Sequence, residues 1–187
     1  MHASEAFSGL GAVRLLPDRD IRSKHLRDPD ALIVRSKTAV GPELLEGTPV
    51  GFVATATAGA DHFDVPWLNQ AGVAWSASPG CNANSVAEYV AAALALLARK
   101  RAALLPGKTL GIVGLGQVGS RVAQKAEILG LRVLRNDPPL ALQTGSADFL
   151  PLETLLPQVD ALTLHVPLEV GGPSPTRHLA DCRLFEK

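Results

Sequence analysis

The chain has 187 residues, of which 47% are hydrophobic, and its 18 basic and 18 acidic residues give a formal net charge of zero. This length allows one or two domains, and the hydrophobic fraction is sufficient for a buried core. The balanced charge argues against a protein that binds nucleic acid or a membrane surface through a broad basic patch. We therefore expect neither nucleic acid nor a membrane among its partners.

The sequence carries no recognisable targeting or metal-binding pattern. No apolar run is long enough to span a bilayer, and the N-terminus lacks the charged and then apolar layout of a signal peptide. Two cysteines, Cys81 and Cys182, are too few for a disulfide framework. No His, Cys, Asp or Glu residues have the spacing of metal ligands. The expectation is a soluble cytoplasmic protein that holds no metal ion.

The N-terminal part predicts strands that alternate with short helices. The predicted strands are residues 11–16, 31–34, 50–58 and 72–75, and the predicted helices are residues 1–10, 20–27, 42–46 and 67–70. Repeated strand–helix–strand units with short connections are typical of a parallel sheet wound with helices. We therefore predict that residues 1–84 form an α/β domain, incomplete and flavodoxin-like, with ligand-binding loops at its strand ends.

An alanine- and leucine-rich segment follows this domain. Ser85 and Glu88 have the spacing of a capping box. Residues 90–98 would be apolar on nearly every side of a helix, and a helix of this kind is buried between layers or domains. Residues 85–106 are therefore predicted as a helix that bridges two domains.

Residues 109–119 indicate a short buried strand, a glycine-rich turn and the start of a helix. Gly114, Gly116 and Gly119 have the G-x-G-x-x-G spacing of a dinucleotide-binding turn. One glycine permits the tight turn, one lets a pyrophosphate approach the backbone, and one lets the helix pack closely on the strand. The amide groups at the start of the helix would then face the phosphates.

The residues after this turn support the same interpretation. A helix is predicted over residues 117–130 and a strand over residues 131–135. Asp137 then follows Gly119 at close to the roughly 20-residue offset at which an acidic residue binds the adenosine ribose hydroxyls. A carboxylate there disfavours a 2′-phosphate, which predicts NAD rather than NADP. The alternative is that Asp137 is only a turn residue before two prolines.

The C-terminal part predicts one more helix and one more strand. The helix covers residues 152–156 and the strand covers residues 161–167. A complete dinucleotide-binding domain has about six strands in two halves. We therefore predict that residues 107–187 are the NAD-binding Rossmann domain, first half only.

Several segments resemble the D-isomer-specific 2-hydroxyacid dehydrogenases, in the family order and over nearly the whole chain. Besides the glycine turn they are residues 32–36 (LIVRS), 55–62 (TATAGADH), 79–83 (PGCNA), 88–90 (EYV), 137–139 (DPP) and 176–181 (TRHLAD). The glycine turn is common to many dehydrogenases, whereas the Pro-Gly-Cys-Asn and Asp-Pro-Pro elements are much more specific. The chain is similar to the N-terminal half of this family.

The resemblance implies oxidation of a small phosphorylated 2-hydroxy acid at its C2 hydroxyl, with hydride transfer to NAD. Within the family it points to members that act on 4-phospho-D-erythronate in vitamin B6 biosynthesis. It implies substrate contacts at Ser36 and Thr57, pyrophosphate contacts at Gln117 and Val118, and a ribose contact at Asp137. From the residues alone, Ser36 and Thr57 are hydroxyls at strand ends, a position that satisfaction of loop backbone explains equally well.

The chain also departs from the family pattern. Val166 stands where the family usually has a threonine near the nicotinamide ribose, and Leu140 replaces the arginine that usually follows Asp-Pro-Pro. The resemblance implies that the catalytic arginine, glutamate and histidine positions lie beyond Lys187. It implies the same of the C-terminal domain that makes the full-length family a homodimer, and it places a first strand before Met1. We therefore expect no catalytic residue, no turnover and low solubility for this chain alone.

Three histidine and aspartate positions have competing interpretations. His165 ends a predicted strand near the expected cofactor edge, but a structural role is favoured because its family counterpart does not transfer the proton. Asp61 and His62 are predicted to cap a helix.

Two other functions remain open for the chain: another D-2-hydroxyacid dehydrogenase, such as one acting on phosphoglycerate, and an NAD-binding remnant without catalysis.

Overall fold

Each part of the chain builds its own three-stranded parallel sheet. The computed structural model describes residues 3–101 and 104–185, and the chain divides into two units between Cys81 and Asn82. The predicted α/β class with parallel sheets is confirmed. The assignment of residues 85–106 as a bridge between domains stays a prediction.

The first unit has the sheet order β1-β2-β3, so that each strand lies beside the next one in the chain. Leu32 of the first strand pairs with Val53, and Val53 pairs with Trp75. Its elements are helix α1 (Ala3–Phe7), strand β1 (Ala31–Val34), helix α2 (Pro42–Leu45), strand β2 (Phe52–Thr55), helix α3 (Val65–Ala71) and strand β3 (Ala74–Ser76).

One face of this sheet is the core of the first unit. Alternate side chains of a strand point to opposite faces, and in β1 the residues Leu32 and Val34 are buried while their neighbours are exposed. The buried face packs in one cluster with Leu44 and Leu45 of α2 and with Leu68 of α3. The carboxyl ends of β1 and β2 are thereby held side by side.

Two predictions for the first unit are wrong. Residues 11–16 form no strand, because a strand needs a neighbour that completes its hydrogen-bond ladder, and no sheet strand in the described chain pairs with them. The helix predicted over residues 20–27 is replaced by two 3₁₀ turns, Asp18–Asp20 and Ser23–His25. Arg22 between them has an extended backbone, with φ −142° and ψ 159°, which interrupts the helix.

The second unit has the sheet order β5-β4-β6. Its elements are helix α4 (Ala83–Lys100), strand β4 (Thr109–Val113), helix α5 (Gln117–Ile128), strand β5 (Arg132–Asn136), helix α6 (Pro138–Thr144), helix α7 (Leu152–Leu155), strand β6 (Ala161–Leu164) and helix α8 (Cys182–Phe185). All five residues of β4 are buried, which is expected of a central parallel strand covered on both faces.

The order of strands places a topological switch point beside β4. Strand β6 pairs with β4 on the side opposite β5, and Phe149 forms a single parallel bridge to Arg135 on the outer side of β5. The sequence Phe149, β5, β4, β6 corresponds to positions 3-2-1-4 of the dinucleotide-binding fold. The strand predicted over residues 161–167, observed as β6, is therefore in the fourth position of this order. The ligand crevice of such folds opens between β4 and β6.

Helix α4 differs from its prediction in two respects. It begins at Ala83, before Ser85, and Asn82 at its N-cap makes no side-chain capping bond, so the predicted capping box does not form. Ala87 is buried in one cluster with Val122 and Ala126 of α5, but Tyr89 is 76% exposed. The helix is thus buried on one side, and the described helices include none that is long and apolar enough to cross a membrane.

Replacement of Gly111 by alanine tests the packing of the central strand. A Cβ at Gly111 would lie 2.7 Å from Leu155 Cδ2 and 2.9 Å from both Leu162 Cδ1 and Val159 Cγ1. Overpacking of this kind costs about 1–3 kcal/mol. We expect Gly111→Ala to lower the urea midpoint of the second unit, measured by circular dichroism. Gly171→Ala is the matched control because its Cβ meets nothing within 4 Å, and an equal loss in both variants contradicts the packing.

Asp160 gives the second unit a specific pH dependence. The Lys108 ammonium donates to Asp160 Oδ1 at 2.9 Å and the Thr109 N–H donates to Oδ2 at 2.8 Å, and these bonds hold the pKa of the carboxyl below its ordinary value of 3.8. The stabilisation is therefore present above pH 3.8 and is lost as the pH falls through the lower pKa of the folded chain.

We accordingly expect Asp160→Asn to reduce stability at neutral pH and to flatten the acid limb of the stability profile. The measurement is the thermal midpoint from pH 7 down to pH 2. Asp148→Asn, at an exposed aspartate, should leave the profile unchanged. An Asp160→Asn profile parallel to that of the unaltered chain at every pH counts against this role.

Candidate functional site

The turn between β4 and α5 needs glycine at two positions, because a side chain there would collide with the backbone of the protein. Gly114 has φ +86°, and a Cβ there would lie 2.6 Å from the carbonyl oxygen of His165. A Cβ at Gly119 would lie 1.8 Å from the carbonyl oxygen of Gly114. Neither position can take a side chain without movement of the backbone. These two glycines therefore set the sharp turn and bring α5 against the end of β4.

Gly116 is different, because no neighbouring atom in the described part of the chain requires a glycine there. A Cβ at Gly116 would meet nothing within 4 Å, and its φ of −68° is open to any residue. Gly116 is also the N-cap of α5 and supplies no side-chain capping bond. The first-turn amides at Gln117 and Val118 thus lack a side-chain cap. A helix N-terminus that has no side-chain cap and borders open space is suited to the close approach of an anion.

Arg121 anchors the first residue of this helix. Its Nη1 donates to the backbone carbonyl of Gln117 at 2.5 Å and to Gln117 Oε1 at 2.9 Å. The guanidinium therefore lies one turn into α5, on the side of Gln117. This adds a positive side chain to the positive end of the helix dipole.

Asp137 connects the turn to the next helix. Its Oδ2 accepts the N–H of Leu115 at 2.7 Å, and its Oδ1 accepts the N–H of Leu140 at 3.0 Å. The second bond makes Asp137 the N-cap of α6. Helix α6 was not predicted from the sequence, although an N-cap aspartate before prolines at the first helical positions is a common helix start. Asp137 therefore holds the glycine turn as well as capping a helix.

His165 and Val166 follow β6 on the other side of the switch point. The backbone N–H of His165 donates to the carbonyl of Val113 at 2.7 Å, and its Nε2 shares a hydrogen bond of 3.0 Å with Thr163 Oγ1. Burial lowers the pKa of His165. A Cβ at Gly114 would lie 2.8 Å from Val166 Cγ1. Val166 is thus beside the glycine turn, and the bonded imidazole fits the structural role favoured for His165.

The first unit contains a separate cavity at the carboxyl ends of its strands. It has a volume of about 300 Å³ and is lined by Ser36, Thr57, Gly59, Asp61 and His62. The two residues predicted to contact substrate are therefore on one cavity. The hydroxyls of Thr55 and Thr57 share a hydrogen bond of 2.6 Å, and Thr57 Oγ1 donates to the carbonyl of Gly59 at 3.2 Å. These bonds fix the direction of the Thr57 hydroxyl.

Asp61 and His62 are cavity residues and do not cap a helix, which corrects their prediction. Helix α3 begins at Val65, and its N-cap is Asp64, whose Oδ1 accepts the N–H of Trp67 at 3.1 Å. The signal that could have identified the two residues is their place directly after a strand-end loop rich in threonine and glycine. No group of three or more His, Cys, Asp or Glu residues in the described chain could hold a metal ion.

Comparisons with known proteins agree with this architecture. The family described as D-isomer specific 2-hydroxyacid dehydrogenase, catalytic domain, matches residues 12–167. The chain is 50% identical over 186 residues to the erythronate-4-phosphate dehydrogenase of Salmonella paratyphi B, in a match that covers 100% of this chain and 49% of that protein. The chain therefore spans about half the length of the curated relatives it matches.

Solved structures show the same relationship. The NAD⁺-bound 3-phosphoglycerate dehydrogenase of Entamoeba histolytica is 29% identical, with a TM-score of 0.66 over 82% of this chain and 51% of that one. An NAD-dependent formate dehydrogenase of Staphylococcus aureus in complex with NAD is 24% identical and is similar in fold, with a TM-score of 0.76 over 98% and 63% of the two chains. By its sequence match and its fold, the chain belongs to the family of D-isomer specific 2-hydroxyacid dehydrogenases.

Proposed function

We propose that the protein takes part in the NAD-dependent oxidation of 4-phospho-D-erythronate at C2, a step of vitamin B6 biosynthesis. In this proposal the second unit binds the cofactor and the first unit contacts the substrate. The observation that carries it is the glycine turn, where Gly116 borders open space and the N-cap of α5 makes no side-chain hydrogen bond among the described residues. The 50% identity to erythronate-4-phosphate dehydrogenase supports the choice of substrate.

The residues of the turn fit a dinucleotide. Gln117 and Val118 present backbone amides at the start of α5, and the space at Gly116 leaves room for a pyrophosphate against the backbone. Asp137 is placed beside the turn by its bond to Leu115 and retains lone pairs for ribose hydroxyls. Val166 lies beside Gly114 and offers the cofactor an apolar contact. When bound, NAD supplies the hydride acceptor, and the protein supplies its binding and orientation.

Asp137 also supports the choice of NAD over NADP. A 2′-phosphate at the ribose would meet a carboxylate whose two oxygens already accept N–H bonds from Leu115 and Leu140. These bonds hold the carboxylate in place, and like charges at short distance disfavour each other. Discrimination by a fixed repulsive group is a common form of specificity.

Ser36 and Thr57 are the proposed substrate contacts. Both line the cavity of about 300 Å³, which is large enough for a small acid. A hydroxyl can donate one hydrogen bond and accept two. Ser36 can therefore donate to a carboxylate or phosphate oxygen, while Thr57, whose proton bonds Gly59, can accept from a substrate hydroxyl. The test is binding of 4-phospho-D-erythronate to the chain, followed through the backbone amide resonances of Ser36 and Thr57.

A second candidate is a different phosphorylated 2-hydroxy acid. It is favoured by the 29% identity and TM-score of 0.66 to a 3-phosphoglycerate dehydrogenase. The same titration with 3-phospho-D-glycerate separates the two. Tighter binding of 4-phospho-D-erythronate supports the first proposal, and the reverse order replaces it with the second.

The variant Gly116→Ala tests the cofactor site without disturbing the fold. Its Cβ meets nothing within 4 Å, but alanine is a poorer N-cap than glycine, so we expect a small loss of thermal stability and an intact fold. We expect the dissociation constant for NAD, measured by calorimetry, to rise at least about tenfold, the equivalent of 1.4 kcal/mol. Gly171→Ala is the control and should bind NAD normally. Normal NAD affinity in Gly116→Ala would place the cofactor elsewhere.

Asp137→Asn tests the cofactor preference. Asparagine is about as good an N-cap as aspartate, but its single carbonyl oxygen cannot accept both the Leu140 and the Leu115 N–H, and the lost bond costs about 0.5–1.5 kcal/mol of stability, which a thermal scan measures. Because the repulsive charge is gone, we expect the ratio of NADP to NAD dissociation constants to fall, and affinity for NAD to fall with it. Asp148→Asn should change neither quantity. A preserved preference for NAD in Asp137→Asn would remove Asp137 from cofactor selection.

A further inference from the structure

His62 is held rigidly at the cavity that contains Ser36 and Thr57. Its backbone carbonyl accepts the N–H of Val40 at 2.8 Å, within an isolated parallel bridge that joins Val40 to Phe63. Its ring packs edge-on against Phe63 with 4.7 Å between centroids and an interplanar angle of 67°. The imidazole therefore has a defined position in the lining of the cavity.

The hydrogen bonding of this ring is incomplete. His62 Nε2 is buried and has no hydrogen-bond partner in the part of the chain that the structure describes. A buried polar atom without a partner costs about 1–3 kcal/mol. Such atoms are rare in native proteins, and those that persist often serve catalysis or an ion or water that binds there. His62 thus lines the cavity with a buried ring nitrogen that lacks a partner, and a ligand bound in the cavity is one source of that partner.

The cavity around the His62 ring is lined by a carboxylate and by no lysine or arginine that could bind an anionic ligand. Burial lowers the pKa of His62, and the nearby Asp61 carboxylate opposes this shift without overcoming it. Arg35 and Lys37, the charged residues of the neighbouring loop after β1, are solvent-exposed and are not among the residues that line the cavity. A ligand anion would thus meet the carboxylate of Asp61 and an uncharged imidazole. The anion and Asp61 would both favour the imidazolium form.

We propose that His62 is a further substrate-contacting residue of this cavity, whose imidazole binds an anionic group of the substrate and takes up a proton as that group binds. The proposal rests on the proposed function, which places a phosphorylated 2-hydroxy acid beside Ser36 and Thr57. The proton comes from solvent, and the imidazolium supplies the positive charge that the described lining of the cavity otherwise lacks.

The affinity for the substrate depends on pH in a direction that proton linkage determines. Because binding favours the protonated ring, the substrate binds most tightly at low pH, and affinity weakens as the pH rises through the pKa of His62 in the complex. Each unit by which binding raises that pKa corresponds to about a tenfold difference in affinity between the two pH limits. The phosphate of the substrate also titrates near pH 6, so a variant without the imidazole is needed to measure that background.

The experiment is an NMR titration of the histidine Cε1–H resonances in the full 187-residue chain, with and without 4-phospho-D-erythronate. We expect the ligand to raise the pKa of His62 by about one unit, and the dissociation constant to weaken by up to about tenfold across the titration. His62→Asn should weaken binding at low pH and retain only the phosphate background. His178→Asn, at an exposed histidine, should keep both the affinity and the pH dependence of the unaltered chain.

The ligand set separates the possible outcomes. A response to D-erythronate without phosphate assigns the contact to the carboxylate, and a response to the phosphorylated acid alone assigns it to the phosphate; either supports the proposal. If the ligand shifts the amides of Ser36 and Thr57 but leaves His62 unchanged, the inference is overturned and the proposed substrate site stands. If neither responds, both are overturned. The imidazole titration of the unaltered chain decides the matter even where His62→Asn does not fold.

Discussion

The second unit depends on one close contact, between the start of α5 and the turn that precedes it. A Cβ at Gly119 would lie 1.8 Å from the carbonyl oxygen of Gly114, so only glycine allows the helix to come this near. This contact directs the N-terminus of α5 to the carboxyl end of the central strand β4, beside the switch point between β4 and β6. The proposed anion site at Gly116 depends on this contact, because a helix held farther away would not present its first amides at the switch point.

In the proposed cofactor site, Asp137 would serve structure and ligand binding together. Its carboxylate caps α6 and accepts the Leu115 N–H. This bond joins the end of β5 to the end of β4, which are the second and first strands of the dinucleotide-binding order. A ribose that binds there meets a group already fixed in direction. Pre-organisation of this kind reduces the entropy lost on binding. The turn-residue interpretation and the cofactor interpretation of Asp137 therefore do not exclude each other.

Residue patterns within a short segment correctly predicted the strands and turns that depend on that segment alone. The apolar runs of residues 31–34 and 109–113 became strands, and the glycine spacing placed the turn before α5. The strand expected at residues 11–16 failed because pairing depends on a neighbour that hydrophobicity cannot reveal. The side of β4 on which β6 pairs is likewise a tertiary property. Ser36 and Thr57 were expected at strand ends, but the participation of Asp61 and His62 in the same cavity required the fold of the intervening loop.

Strand β5 lies at one edge of the sheet in the second unit, where Phe149 forms a single bridge to it. One bridged residue leaves most of the outer edge of β5 without a ladder partner in the described chain, and open edges invite pairing with other chains. Strand β5 carries two arginines, Arg132 and Arg135, where a central strand would carry apolar residues, and Arg135 forms an ion pair with Glu127. Bulky cations at a strand edge make the approach of a foreign strand unfavourable. The two arginines thus disfavour the addition of a foreign strand at this edge of the second unit.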